Sequence, residues 1–135
     1  MKLLTWNIRH GGGTRIARIV EEISAYDADV IALTEFRDRP GTALHAALLE
    51  RGWPYFETTN PTGNVNGIAA FSRTPMRRTR SCPAPPDGFD RWLDIDLPEY
   101  GFGIGVLHIM AAGFQQEAPS KRREDPLLGR FIEDG

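Results

Sequence analysis

Two short apolar segments near the amino terminus, 2–8 and 30–33, enclose a segment whose apolar residues recur at helical spacing. Short segments with apolar residues on both faces are typical of buried strands. The sequence between them predicts a helix that begins after an N-cap at Thr14, ends near Tyr26–Asp27 and buries Ile16, Ile19, Val20 and Ile23. A strand, a crossover helix and a strand within about 35 residues form a right-handed parallel βαβ unit. This unit indicates an α/β fold.

The rest of the sequence predicts one more helix and several shorter strands. Residues 92–97 alternate between apolar and polar, and a second strand follows after a short turn, which predicts an antiparallel hairpin. The predicted elements after the βαβ unit are a helix at 42–51, strands at 53–59, 67–72, 92–97 and 102–109, a loop at 81–89, and the start of another helix at 120–133.

Composition restricts the class of protein. The 135 residues fit one domain, and 41% hydrophobic with 25% charged residues is typical of a globular chain. A net charge of -2 excludes a strongly basic nucleic-acid binder but not a local basic patch. The single cysteine, Cys82, can form neither an intrachain disulfide nor a cysteine-based zinc site. Because no apolar run reaches the roughly 18 residues of a membrane span and no signal peptide is evident, we expect a cytoplasmic protein without a membrane span.

Asn7 and Glu35 each lie at the carboxyl end of an otherwise apolar strand of the predicted βαβ unit. Ligands of open α/β sheets gather beyond the carboxyl ends of the strands, so these two side chains are candidates for one common site. An amide oxygen and a carboxylate form a suitable partial shell for Mg²⁺, which also retains waters or substrate phosphate. The alternative is that both are ordinary polar strand ends, and on spacing alone that interpretation is the commoner one.

His108 shares a strand face with three apolar residues. It is a candidate donor to a phosphate oxygen, or an acid near a leaving group. The alternative, which periodicity alone favours, is a core histidine that bonds a backbone carbonyl. His10, in a glycine-rich loop, and His45, beside the apolar stripe of the second helix, are weaker candidates.

Gly11–Gly13 precede a helix, where phosphate can bind, but the segment matches neither nucleotide-binding glycine motif, and we interpret it as a flexible loop. Two basic clusters, at 77–80 and 121–123, are interpreted as solvated surfaces, with phosphate steering as the alternative.

Four segments together resemble the endonuclease/exonuclease/phosphatase superfamily in their residues, in their order along the chain and in their spacing. They are 3–8 (Leu-Leu-Thr-Trp-Asn-Ile), 29–35 (Asp-Val-Ile-Ala-Leu-Thr-Glu), 66–73 (Asn-Gly-Ile-Ala-Ala-Phe-Ser-Arg) and 106–108 (Val-Leu-His). The resemblance implies the amino-terminal half of a four-layer α/β/β/α sandwich, a mixed sheet with flanking helices. It also implies metal-dependent hydrolysis of phosphate esters, as in a phosphodiesterase, nuclease or phosphatase, with Mg²⁺ or alternatively Mn²⁺.

The resemblance also implies roles for individual residues. Glu35 would be a catalytic residue and a direct metal ligand, Asn7 would support the metal or the phosphate, and His108 would stabilise the phosphate or protonate the leaving group. Thr34 departs from the family pattern, which usually has Gln before the Glu. A phosphorylated substrate is the expected partner, with nucleic acid among the candidates.

A larger departure lies after His108, where the sequence contains no Asn or His and only Asp125 and Asp134 as aspartates. The family's later Gly-Asp-Phe-Asn-type and Ser-Asp-His-type segments, which supply the general base, are therefore absent. We expect residues 1–135 to form such a domain truncated at its carboxyl terminus. The alternatives are a catalytically inactive module that self-associates or binds the missing half, and a generic α/β binding domain.

Overall fold

The computed structural model describes residues 1–80 and 91–109. This part of the chain contains seven strands and two α-helices, with a short 3₁₀ segment at His10–Arg15. In chain order they are β1 (Leu3–Asn7), α1 (Ile16–Tyr26), β2 (Val30–Phe36), α2 (Asp38–Glu50), β3 (Tyr55–Thr58), β4 (Gly67–Ser72), β5 (Arg77–Thr79), β6 (Trp92–Leu97) and β7 (Phe102–Leu107). The α/β class predicted from the sequence is confirmed.

The strands form two sheets, one of four strands in the order β1-β2-β4-β3 and one of three in the order β5-β6-β7. Strands β1 and β2 are parallel, as the βαβ pattern predicts, whereas β4 runs antiparallel to both β2 and β3. The first sheet is therefore mixed. The hairpin predicted at 92–97 and 102–109 is also present, because β6 and β7 pair antiparallel from Trp92↔Leu107 to Leu97↔Phe102.

Two apolar cores lie on opposite faces of the first sheet. Alternate residues of β2 explain both cores: Ile31 and Leu33 face the helices, whereas Val30 and Ala32 face the second sheet. The core under the helices contains Ile19, Ile23, Leu44, Leu48, Trp53 and Phe71, and the core between the sheets contains Ile68, Ala70, Leu93, Ile95, Leu97 and Val106. The described residues thus form three layers, helices, sheet and sheet, in agreement with part of the predicted sandwich.

The carboxyl ends of β1, β2 and β3 lie at one edge of the first sheet. This follows from the pairing, because β1 is parallel to β2, and β3 is antiparallel to the strand that is itself antiparallel to β2. We call this the carboxyl edge, and it is marked by Asn7, Glu35 and Thr58. The topology therefore brings together the residues that end these strands.

Both helices begin at positions other than those predicted. Helix α2 begins at Asp38 rather than at 42, because Pro40 lies in its first turn, where the missing N–H has no partner within the helix. Helix α1 begins at Ile16 with Arg15 as its N-cap and no capping side chain, so the N-cap predicted at Thr14 is wrong. The cause is the glycine segment, where Gly11, Gly12 and Gly13 all have positive φ and lead into the helix by a series of turns.

Strands β4 and β6 have the predicted bounds, whereas β3 and β7 are shorter than predicted. The loop predicted at 81–89 and the helix predicted at 120–133 lie outside the described residues. Within the described ranges, no helix has the length and apolar character needed to cross a membrane.

Candidate active site

Glu35 lies on a β-bulge at the carboxyl edge. The pairing of β2 with β4 shifts register between Thr34 and Phe36, and Glu35 has φ 58°. A non-glycine residue in this region of φ costs about 1–3 kcal/mol and is characteristic of functional sites, and bulges commonly reorient a side chain next to a site. Here the bulge places a carboxylate with 18% exposure at the end of a buried strand.

Asn7 and the backbone of His10 hold this carboxylate from two sides. Asn7 Nδ2 donates to Glu35 Oε2 at 3.0 Å, and the His10 backbone N–H donates to Oε1 at 3.0 Å. The Arg9 backbone N–H donates to Asn7 Oδ1, also at 3.0 Å, which sets the orientation of the amide. An amide oxygen has two lone pairs, so this bond leaves one for a metal ion. Asn7 and Glu35 therefore meet in one site, as their strand-end positions predict.

The segment that follows β1 is held in place by hydrogen bonds and by the burial of two glycines. Arg15 Nη2 donates to the carbonyl oxygens of Ile8 at 2.8 Å and of Arg9 at 2.9 Å. Gly11 and Gly12 are buried, and both have φ above 70°. The segment predicted to be a flexible loop is thus a packed turn that directs the His10 N–H at Glu35.

Two histidine rings flank the carboxylate. His108 Nε2 lies 3.8 Å from Glu35 Oε2, and His10 Nδ1 lies 3.9 Å from Oε1. His108 follows the last residue of β7, and its backbone N–H donates to the Arg91 carbonyl oxygen at 3.0 Å. The second sheet therefore positions His108 at the carboxyl edge of the first sheet. His10, a weaker candidate from the sequence, lies equally near to Glu35.

Arg37 is a member of this site that sequence reasoning missed. Its Nε donates to Asn66 Oδ1 at 2.7 Å, and its Nη2 lies 3.2 Å from His10 Nδ1. Because a guanidinium has no acceptor, His10 Nδ1 must accept, which assigns the proton of the neutral ring to Nε2. Two features of the sequence could have indicated Arg37. It lies two residues after Glu35, and its partner Asn66 belongs to the Asn-Gly segment.

The electrostatic environment keeps Glu35 ionised. Partial burial by itself would raise the pKa of Glu35, but the hydrogen bonds from Asn7 and from the His10 N–H oppose this effect. The positive charge that His10 and His108 can carry lowers the pKa further, and the net pKa lies below the ordinary 4.5. A negatively charged oxygen is therefore present at neutral pH.

The Asn7→Ala variant is expected to raise the pKa of Glu35, because it removes a hydrogen bond to the ionised form. A carboxylate whose pKa is depressed by folding stabilises the protein above its unfolded-state pKa, and the contribution disappears as pH falls through the folded-state value. The wild type should therefore lose more stability than Asn7→Ala when the pH is lowered through and below 4.5. Carboxyl-carbon NMR titration of Glu35 measures the shift directly, and an unchanged pKa would contradict it.

The donor set fits a partial shell for Mg²⁺. Among the described residues, no group of three or more His, Cys, Asp or Glu side chains could hold a metal ion. Mg²⁺ does not need such a cage, because it is commonly bound through one or two carboxylates together with waters and substrate phosphates. Glu35 supplies an ionised carboxylate and Asn7 an amide oxygen at the same place.

The remaining sequence candidates lie elsewhere. His45 stacks on Phe56, with ring centroids 4.0 Å apart. In the first basic cluster, Arg77 forms an ion pair with Asp96 at 3.2 Å, and Arg78 donates to the Thr58 carbonyl oxygen at 3.0 Å. Arg77 is exposed, as the interpretation of this cluster as a solvated surface predicts, whereas Arg78 is partly buried. The second basic cluster, 121–123, lies outside the described residues.

Comparison with solved structures shows the same fold in several other proteins. The endonuclease/exonuclease/phosphatase from Beutenbergia cavernae DSM 12333 aligns over 84% of this chain and 39% of its own, with TM-score 0.58 and 22% identity. An AP endonuclease from Archaeoglobus fulgidus aligns over 72% and 37%, with TM-score 0.55 and 18% identity. TDP2 from D. rerio, complexed with single strand DNA product, aligns over 78% and 43%, with TM-score 0.54 and 15% identity.

The chain spans well under half the length of these three solved chains. At such identities the likeness is one of fold. No curated protein sequence matches the chain. The model of the Endonuclease/Exonuclease/phosphatase family, however, matches residues 4–133, almost the entire sequence. Its match agrees with the mixed sheet and its flanking helices. The chain therefore belongs to the endonuclease/exonuclease/phosphatase family.

Proposed function

We propose that this chain carries the metal- and phosphate-binding part of a phosphoesterase that depends on Mg²⁺ or Mn²⁺. The observation that supports the proposal is the convergence of Asn7, His10 and His108 on the ionised Glu35 carboxylate. Family membership favours a hydrolase that acts on phosphate esters. Because the chain covers only 37% and 39% of two solved relatives, residues 1–135 are proposed to be part of such a domain.

Glu35 and Asn7 would hold the metal ion. When bound, such an ion polarises a phosphoryl oxygen and neutralises developing charge. The two histidines flank the same carboxylate, and a ring N–H of either would be able to donate to a phosphate oxygen bound there. For His10 the donor is Nε2–H, because Arg37 occupies Nδ1. His108 would either stabilise the phosphate or protonate the leaving group, as the resemblance implies.

Glu35 is poorly suited to act as the general base. Two hydrogen bonds and two nearby histidines favour its ionised form and lower its basicity. Loss of a general base typically lowers the rate by about 10²–10⁴-fold. The alternative function is therefore a module that binds metal and phosphate without turnover, which is the inactive interaction module considered from the sequence.

Metal binding and hydrolysis by the full chain separate these functions. Mn²⁺ binding is measured by electron paramagnetic resonance, with competition by Mg²⁺, and hydrolysis with bis(p-nitrophenyl) phosphate and p-nitrophenyl phosphate. We expect Mn²⁺ to bind and product release to require the metal ion. Binding without turnover would support the inactive alternative, whereas a chain that binds no metal, or hydrolysis that persists in EDTA, would refute the metal-dependent proposal.

The substrate class is proposed only as far as the comparisons allow. One solved relative, TDP2 from D. rerio, is complexed with a single strand DNA product. Nucleic acid is therefore a candidate substrate for this chain, beside small phosphate esters and phosphorylated head groups.

A further inference from the structure

Arg37 stands between β2 and α2, directly against the glycine turn that follows β1. It is the N-cap residue of α2, and its carbonyl oxygen accepts the Gly41 N–H at 2.9 Å. Its aliphatic stem packs on Gly11, where an added Cβ would be 2.8 Å from Cβ and 3.1 Å from Cγ of Arg37. The helix and the turn therefore hold the backbone and the stem of Arg37, and only its guanidinium remains to be oriented.

Asn66 orients this guanidinium. Its side-chain oxygen accepts from Arg37 Nε at 2.7 Å, and it directly precedes Gly67, which pairs with Phe36 in the first sheet. A guanidinium presents its N–H groups in a rigid planar fork, so a bond at Nε determines where the Nη groups point. In this structure Nη2 points at the His10 ring, 3.2 Å from Nδ1.

Two groups compete for Nδ1 of His10. Arg37 Nη2 lies 3.2 Å from this atom, and Glu35 Oε1 lies 3.9 Å from it. The guanidinium can only donate and the carboxylate can only accept, so a bare Nδ1 pairs with Arg37 whereas an Nδ1–H would pair with Glu35. The His10 side chain is 75% exposed, so burial does not fix the ring, and these two polar contacts decide which nitrogen carries the proton.

The outcome of this competition changes what Glu35 can bind. Its Oε1 already accepts the His10 backbone N–H at 3.0 Å. Each carboxylate oxygen has two lone pairs, and an Nδ1–H from the ring of the same histidine would occupy the second one. With Arg37 on Nδ1, the second lone pair stays available to a metal ion, and the ring keeps its proton on Nε2, from which it can be donated to a phosphate oxygen.

We propose that Arg37 is a positioning residue of the Glu35 site and that Asn66 holds it in this role. Arg37 fixes the Nε2–H tautomer of His10 and thereby keeps the ring from donating to Glu35 Oε1. This role rests on the proposed metal-dependent function. The two effects of Arg37 on metal binding have opposite signs, because its positive charge opposes the binding of a cation whereas its bond to His10 promotes it.

Nitrogen-15 NMR of the His10 ring in the metal-free full chain tests the tautomer directly. At about pH 8.5, where an ordinary imidazole is neutral, we expect the Nε2–H tautomer in the wild type. Arg37→Met keeps the stem that packs on Gly11 and removes the guanidinium, so it should produce an Nδ1–H population, and Asn66→Ala should act in the same direction. Arg39→Met is the matched control, because it removes the same charge from an exposed residue in the first turn of α2. An identical tautomer in the wild type and in Arg37→Met would overturn the proposal.

Mn²⁺ binding in a double-mutant cycle shows whether Arg37 acts through His10. By electron paramagnetic resonance, we expect Arg37→Met to weaken Mn²⁺ binding by about tenfold, the lower end of the effect for indirect partners of a metal site. In the His10→Ala background the same change should not weaken binding, because no ring is left to compete for Glu35 Oε1 and only a positive charge is removed. Arg39→Met should weaken binding in neither background.

Equal weakening by Arg37→Met in both backgrounds, or no weakening when His10 is present, would overturn the positioning role and leave the metal-dependent function intact. A wild-type chain that binds no Mn²⁺ would instead refute the proposed function itself, while the metal-free spectra would still decide whether Arg37 fixes the tautomer of His10.

Discussion

Glu35→Gln is expected to weaken Mn²⁺ binding by about 100-fold or more, since even indirect partners of a metal site commonly contribute 10–100-fold. The variant removes the ionised carboxylate at the site, and carboxylate oxygens are the principal protein ligands of Mg²⁺. The variant's amide group can also place its own N–H donors against Asn7 Nδ2. Because Asn7 Nδ2 is itself a donor, the two groups cannot form a hydrogen bond in that orientation. Electron paramagnetic resonance of Mn²⁺ with the full chain measures the change.

Glu57→Gln is the matched control for this prediction. Glu57 is also a half-buried glutamate on a strand of the first sheet, but it lies within β3 and away from the Asn7–Glu35 contact. Its replacement should leave Mn²⁺ affinity unchanged, and circular dichroism should show that both variants are folded. Equal loss in both variants, or no loss in Glu35→Gln, would show that Glu35 is not the metal ligand.

Gly11→Ala is expected to lower the free energy of unfolding by about 2–5 kcal/mol. The left-handed conformation, φ 75°, costs a non-glycine residue about 1–2 kcal/mol, and forced overpacking costs a further 1–3 kcal/mol. Overpacking arises because the added Cβ would lie 2.7 Å from Pro40 Cγ and 2.8 Å from Arg37 Cβ. Urea denaturation of the variant and the wild type measures the loss.

Gly101→Ala separates the two causes. Gly101 has φ 78°, almost the value at Gly11, but a Cβ there would meet no atom within 4 Å. This control should therefore lose only the conformational part, about 1–2 kcal/mol. Gly11→Ala should also raise the pKa of Glu35, because the turn that directs the His10 N–H must move. Equal destabilisation by the two variants would contradict the packing argument.

The strand and helix pattern of the first half was predictable because its local signals agree. Ile19 and Ile23 recur at helical spacing, and the short apolar run from Val30 to Leu33 is typical of a buried strand. These two signals are sufficient to infer the parallel βαβ unit correctly. Helix α2 began earlier than predicted because Pro40 and Gly41 are turn residues in general but are tolerated in this first turn. Local propensity does not distinguish these contexts.

The candidate site was predictable in part. Asn7 and Glu35 end neighbouring strands, and topology alone requires that such residues share an edge. His10 and Arg37 were not found as partners of Glu35, because their approach depends on turns with positive φ and on a bond to Asn66, 29 residues from Arg37 in sequence. No short-range pattern encodes such a contact.

By itself, then, the sequence determined the α/β class, the βαβ unit, the hairpin and the strand-end positions of Asn7 and Glu35. These features follow from periodicity and polarity, which are properties of neighbouring residues. Only the tertiary structure decided that a bulge reorients Glu35, that a packed glycine turn directs the His10 N–H at it, and that the second sheet brings His108 within 3.8 Å. Each of these depends on how separate elements pack, and packing of separate elements, not local sequence, sets the distances between their side chains.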